Sequence, residues 1–154
     1  MEIKGLTKKA NEFHDQKLIN SYSQFETLLM ELRKIELPNS TIDVINSGID
    51  QINSVLGSES VLRKQVRANQ ASILKTLEKE HKIVTRNHYR NTWMGLGMAV
   101  FGIPIGVAIG ASFGNTAFVG IGIPVGMVIG MAVGTGMDKK AFEEGRQLDL
   151  EIKR

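Results

Sequence analysis

Residues 91–137 form a run of 47 positions without one Asp, Glu, Lys or Arg. Few soluble folds can bury such a run, and its length suits a bilayer. About 20 apolar residues make one membrane-crossing helix, so the run holds two helices and a tight turn. Polar and turn-forming residues cluster mid-run only at 113–117, Phe-Gly-Asn-Thr-Ala, which places the turn there. The expected spans are residues 92–114 and 117–137.

Composition sharpens this reading. The run carries 12 of the chain's 16 glycines. In water each would weaken a helix by about 1 kcal/mol relative to Ala. In lipid the backbone has to satisfy its own hydrogen bonds, so helix forms regardless. The rival is a glycine-rich soluble hairpin covered by partner chains. Two near-copies of one pattern lie 20 residues apart, Gly102-Ile-Pro-Ile-Gly106 and Gly122-Ile-Pro-Val-Gly126. Each continues the four-residue spacing, through Gly110 and Gly114 in the first copy and Gly130 and Gly134 in the second. Residues four apart stack on one helix face, so these eight glycines are the expected helix-packing residues. Pro104, Ala108 and Ser112 make a second narrow side about 200° away. A helix narrow on two sides can close the hairpin with one and join a second copy with the other, which predicts a homo-oligomer.

The polar remainder reads as all-α. Residues 6–35 are expected to form one long helix, with Leu18, Tyr22, Phe25, Leu29 and Leu32 as its apolar seam. Pro38 ends it, and Asn39 or Ser40 caps a second helix carrying Ile42, Ile45, Ile49, Ile52 and Leu56 inward. Gly57-Ser58 opens a third, with Leu62, Val66, Ile73, Leu77 and Val84 inward, expected to run past His88 as a stalk into the first span. The fold class is thus an N-terminal helical bundle or coiled-coil stalk followed by a transmembrane hairpin with G-x-x-x-G repeats. The parts are a cytoplasmic three-helix domain (1–90), the two-span hairpin (91–137) and a charged cytoplasmic tail (138–154). In the tail Leu148, Leu150 and Ile152 alternate with polar residues and suggest a short strand, with residues 1–4 as its partner.

Charge orients the hairpin. Residues 58–90 hold eight Lys or Arg against three acids, Lys139 and Lys140 follow the second span, and the turn has none. Basic flanks stay in the cytoplasm, so both termini face it across an inner or plasma membrane. Lys82, Arg86, Arg90, Trp93, Lys139 and Lys140 are the expected membrane-surface residues, suited to anionic lipid. The basic run hugs the membrane entry and lacks interleaved stacking aromatics, so nucleic acid is not the expected partner. A cytoplasmic protein partner for the helical domain is. No catalytic, cofactor or metal constellation is legible: His81 and His88 are two turns apart, too far for an i, i+4 metal pair, and read as solvated. No glycine run precedes Lys-Ser or Lys-Thr, and Gly95-x-Gly97 is followed by Val100 where a dinucleotide fingerprint has a third glycine. The chain does not read as an enzyme.

Residues 95–136, with their paired glycine ladders, resemble the two-span glycine-zipper membrane proteins, which associate in bilayers and include channels and membrane-perturbing proteins. The resemblance implies an oligomeric pore or permeabilising complex. Its alternative is a non-conducting anchor whose cytoplasmic helices recruit a partner. The layout also distantly resembles pentameric magnesium channels, whose turn carries Gly-Met-Asn; Gly114-Asn115 lacks that Met, and their function is not carried over.

The topology is directly testable. Protease should reach tags at either end only from the cytoplasmic side, and a tag at Asn115 only from the opposite side. Access to both from one side would refute two crossings.

Overall fold

Helix α1 (Gln16–Leu32) starts at Asp15, whose carboxylate accepts the Lys17 N–H at 2.8 Å. A second carboxylate steadies this start: Glu59 accepts the N–H groups of His14 and Asp15 at 3.1 and 2.7 Å. Those bonds hold Glu59 below the usual carboxylate range. This is a computed structural model, and it describes residues 2–8 and 10–152.

The expected helix over 6–35 is therefore shorter. Residues 2–6 have no regular secondary structure, and among the described residues only a 3-10 turn, Ala10–Glu12, precedes α1. The backbone groups of residues 2–7 bond to side chains of other elements instead of to one another.

Helix α2 (Asn39–Asn53) begins after Pro38, and α3 (Glu59–Thr76) after Ser58, whose hydroxyl makes no capping bond. The apolar rhythm lands inward as expected: Leu18, Tyr22, Phe25, Leu29, Leu32, Ile42, Ile45, Ile49, Ile52, Leu62, Val66, Ile73, Leu77 and Val84 are all buried. Leu56 is the exception and is fully exposed in the α2–α3 link.

The stalk does not continue into the first span. A π-helical turn (Leu77–His81) follows α3, and Lys82 then takes φ 57°, as does Asn87. Two left-handed residues this close cannot sit inside a continuous right-handed helix. Between them strand β1 (Val84–Thr85) pairs with β2 (Gln147–Leu148). The tail thus forms its short strand, but with β1; of the expected partner residues 1–4, Met1 lies outside the described residues. His81 is not a solvated position either, because its Nε2 lies 2.8 Å from the hydroxyl of buried Thr41.

The chain divides into two compact units, residues up to Val84 with 148–152, and residues 85–147. In the first, Leu148 and Leu150 join the helical core. In the second, α4 (His88–Gly97), a π turn (Met98–Gly102) and α5 (Ile103–Phe113) form one long arm, and α6 (Val119–Glu143) forms the other.

Two outcomes follow for the first unit. Phe25→Ala empties a fully buried ring site and should cost about 3–5 kcal/mol, read by denaturant unfolding. Burial, reinforced by Glu26, pushes the Tyr22 hydroxyl up to about 12. The unfolded chain ionises first, near pH 10. The Tyr22 contribution is therefore intact below pH 10 and lost as pH rises towards 12. Tyr22→Phe should flatten that alkaline decline while sacrificing the 2.8 Å bond to the Lys8 carbonyl.

Candidate functional site: a glycine-packed helical hairpin

The two arms meet along glycine. Gly97, Gly102, Gly106, Gly122, Gly126, Gly130 and Gly134 are all buried, and what faces each of them is backbone. A methyl group built on Gly102 would lie 2.9 Å from the Gly122 carbonyl oxygen. One on Gly122 would lie 2.6 Å from the Cα of Gly106, and one on Gly126 2.6 Å from the Cα of Gly102. On Gly106 it would meet the Cα of Val119 at 2.7 Å, and on Gly134 the Cα of Arg90 at 2.5 Å. No alanine fits these positions without moving a helix. The nearest atoms are repeatedly carbonyl oxygens, the arrangement that favours Cα–H···O contacts between close helices.

Two of the eight expected packing glycines act differently. Gly110 faces the turn, where a methyl on it would lie 3.0 Å from the Asn115 carbonyl oxygen. Gly114 is outside the contact and ends α5 with φ 64°, a left-handed conformation that glycine adopts without steric cost. The Asn115 side chain accepts the Ala117 N–H at 2.9 Å, and the Phe113 and Phe118 rings lie 5.2 Å apart.

Gly97 takes the vacant place, although it stands five residues before Gly102 and five α-helical residues would turn it away. The π turn resolves the mismatch. Ile103 donates to the Met98 carbonyl, five residues back, so one extra residue is absorbed and Gly97 stays on the glycine face.

The same four-residue spacing continues past Gly134 to Asp138, which is buried beside α4. Its two carboxylate oxygens accept the N–H groups of Tyr89 and Arg90 at 3.0 and 2.9 Å. These are N–H groups of the first turn of α4, which have no partner within the helix. Asn87, at the N-cap, makes no side-chain capping bond, so Asp138 on the other arm caps α4. A negative charge also complements the helix dipole at that end.

Around this seam the surface is apolar. The arms are helices of 26 residues (His88–Phe113) and 28 residues (Thr116–Glu143), both long and apolar enough to cross a membrane. Only 22% of the most apolar window of each is buried within the chain. Val100, Ile103, Val107, Phe113, Ile121 and Val128 are among the large side chains left exposed. At 1.5 Å per residue the arms are about 39 and 42 Å long, against a hydrocarbon core of about 30 Å.

Charge returns at the open end. Arg86, Arg90, Lys139 and Lys140 are exposed there, and the last two approach Glu143 and Glu144 at 3.8 and 3.9 Å. Trp93 is half-buried, its carbonyl against Gly130. Lys82 belongs to the other unit, as the left-handed residue after the π turn there. Among the described residues no group of three His, Asp or Glu could hold a metal.

A matched pair of substitutions tests the seam. Gly126→Ala drives a methyl into backbone, whereas nothing lies within 4 Å of one on Gly120. Gly120→Ala should stabilise the helix by up to about 1 kcal/mol. Gly126→Ala should cost about 1–3 kcal/mol or part the arms. The emission of Trp93, the single tryptophan, reports the difference. Equal behaviour would refute the glycine seam. Comparison with protein-family models, curated proteins and solved structures yields no match for this chain, so its function has to be read from the hairpin and the helical unit.

Proposed function

We propose that this is an integral membrane protein whose hairpin anchors it in the bilayer and whose helical unit recruits a protein partner at the cytoplasmic face. The observation that carries the reading is the pairing of two long apolar arms with a seam that buries only glycine. Large apolar side chains are left outward, and lipid is the solvent that accepts such a surface. Without side chains between them the arms approach closely, and packing rather than hydrophobicity holds helices together in lipid.

The glycine face is spent within one chain, which favours an anchor over a pore. Polar groups suited to lining a conduit are scarce, and the Ser112 hydroxyl already donates to the Ala108 carbonyl at 2.9 Å. Trp93 and the basic residues Lys82, Arg86, Arg90, Lys139 and Lys140 would meet headgroups, with anionic lipid adding about 1 kcal/mol per charge near the surface.

One observation favours the second reading, a homo-oligomeric pore built by glycine-zipper contacts between copies. Each arm exposes further small residues: Gly95, Ala99, Pro104, Ala108 and Ser112 on one, and Gly120, Pro124, Ala132 and Gly136 on the other, where Val128 interrupts the row. The π turn keeps the first row in line, as it does Gly97.

The protein should stay with membranes through alkaline carbonate extraction, and dye-loaded liposomes containing it should remain sealed. Release by carbonate would refute membrane integration. Dye leakage that Ala108→Leu and Ala132→Leu abolish would replace the anchor with the pore.

A further inference from the structure

Residues 2–7 are held like a bound peptide. Asn46 and Asn53 stand seven apart on α2, hence on one face. The Asn46 amide donates to the Glu2 carbonyl at 3.0 Å and accepts the Lys4 N–H at 2.8 Å. Asn53 repeats this one step along, donating to the Gly5 carbonyl at 3.3 Å and accepting the Thr7 N–H at 2.9 Å. Each amide brackets one residue, Ile3 or Leu6, and those two side chains pack against the helical core. Arg33 adds bonds to the carbonyls of Ile3 and Lys4 at 3.3 and 2.7 Å. Lys4 Nζ lies 2.6 Å from the Asp50 carboxylate.

The spacing is matched on both sides. Seven helical residues rise about 10.5 Å. Three residues of an extended chain advance about 10 Å, and Ile3 and Leu6, three apart, both pack against the core. One helix face therefore reads an apolar-x-x-apolar segment through its backbone, with Asp50 selecting a cation after the first apolar residue. Backbone recognition through side-chain amides depends little on which chain supplies the segment.

We propose that this α1–α2 face is a peptide-docking site, filled in cis by residues 2–7 and able to take the same segment from a second copy. The segment of another copy brings identical atoms, so every bond above is reproduced across the exchange. The cis segment has the advantage of an effective concentration in the millimolar range, so exchange grows as copies crowd. Anchoring in a membrane plane would supply that crowding, but the recognition does not rest on the membrane reading.

The chain has no cysteine, which allows a clean test on the full-length protein. Lys4→Cys is placed in one copy and Asp50→Cys in another; both positions are more than half exposed, so folding should survive. On mild oxidation of the mixture a disulfide between the two can form only in trans. The expected result is a Lys4→Cys/Asp50→Cys heterodimer that increases with protein concentration. It should rise by about fivefold or more, a difference of roughly 1 kcal/mol in docking, when the Lys4→Cys copy also carries Asn46→Ala and Asn53→Ala, which loosen that copy's hold on its own segment and leave the accepting site intact. A heterodimer yield unchanged by the asparagine substitutions would reflect proximity alone and overturn the site. Absence of heterodimer at all concentrations would overturn exchange. Carbonate extraction of the same samples reports membrane integration separately, so either idea can fail alone.

Discussion

Contact between two helix backbones is the interaction on which the second unit depends. Packing of this kind is short-ranged: a single methyl between the arms removes it, because dispersion falls steeply with separation and no side chain is present to rearrange. That explains why glycine recurs from Gly97 to Gly134 despite its cost to helix formation. It also explains why the outward surface is free to be apolar, since nothing hydrophobic is needed between the arms. The ends are secured by other means, a left-handed glycine with an asparagine cap at the turn and a carboxylate at the mouth.

Asp138 gives the open end a chemistry that the glycine seam lacks. Its charge meets two N–H groups that would otherwise have no partner, and bonds of this kind to a charged acceptor are stronger than neutral ones. Because cap and capped helix belong to different arms, the carboxylate also sets how far one arm can slide along the other. The seam alone would tolerate a four-residue slip, as glycine would still meet glycine.

The first unit uses the same economy of polar groups. Glu59 caps the start of α1 from another helix, and two asparagines hold a segment without regular structure by its backbone. In each case a side chain on a packed helix satisfies backbone groups that local structure leaves open.

The sequence by itself determined the two apolar arms, the turn at 113–117 and the buried apolar positions of α1, α2 and α3 except Leu28. These follow from composition and from a 3.6-residue period, both local properties. Buried polar positions such as Thr41, Asn46 and Asn69 were not legible. Only the tertiary structure decided where local signals were overruled. Before α1 the N–H groups of Thr7, His14 and Asp15 go to side chains distant in sequence, those of Asn53 and Glu59. The stalk has no Gly or Pro to mark its end, yet Lys82 and Asn87 turn left-handed on either side of a strand paired with Gln147–Leu148. Gly97, five residues before Gly102, is out of step on an ideal α-helix, and the π turn that restores it leaves no mark in the spacing. Asp138 was legible only as a charge after the second span. Its role depends on which N–H groups lie opposite, and that is a property of two arms packed together.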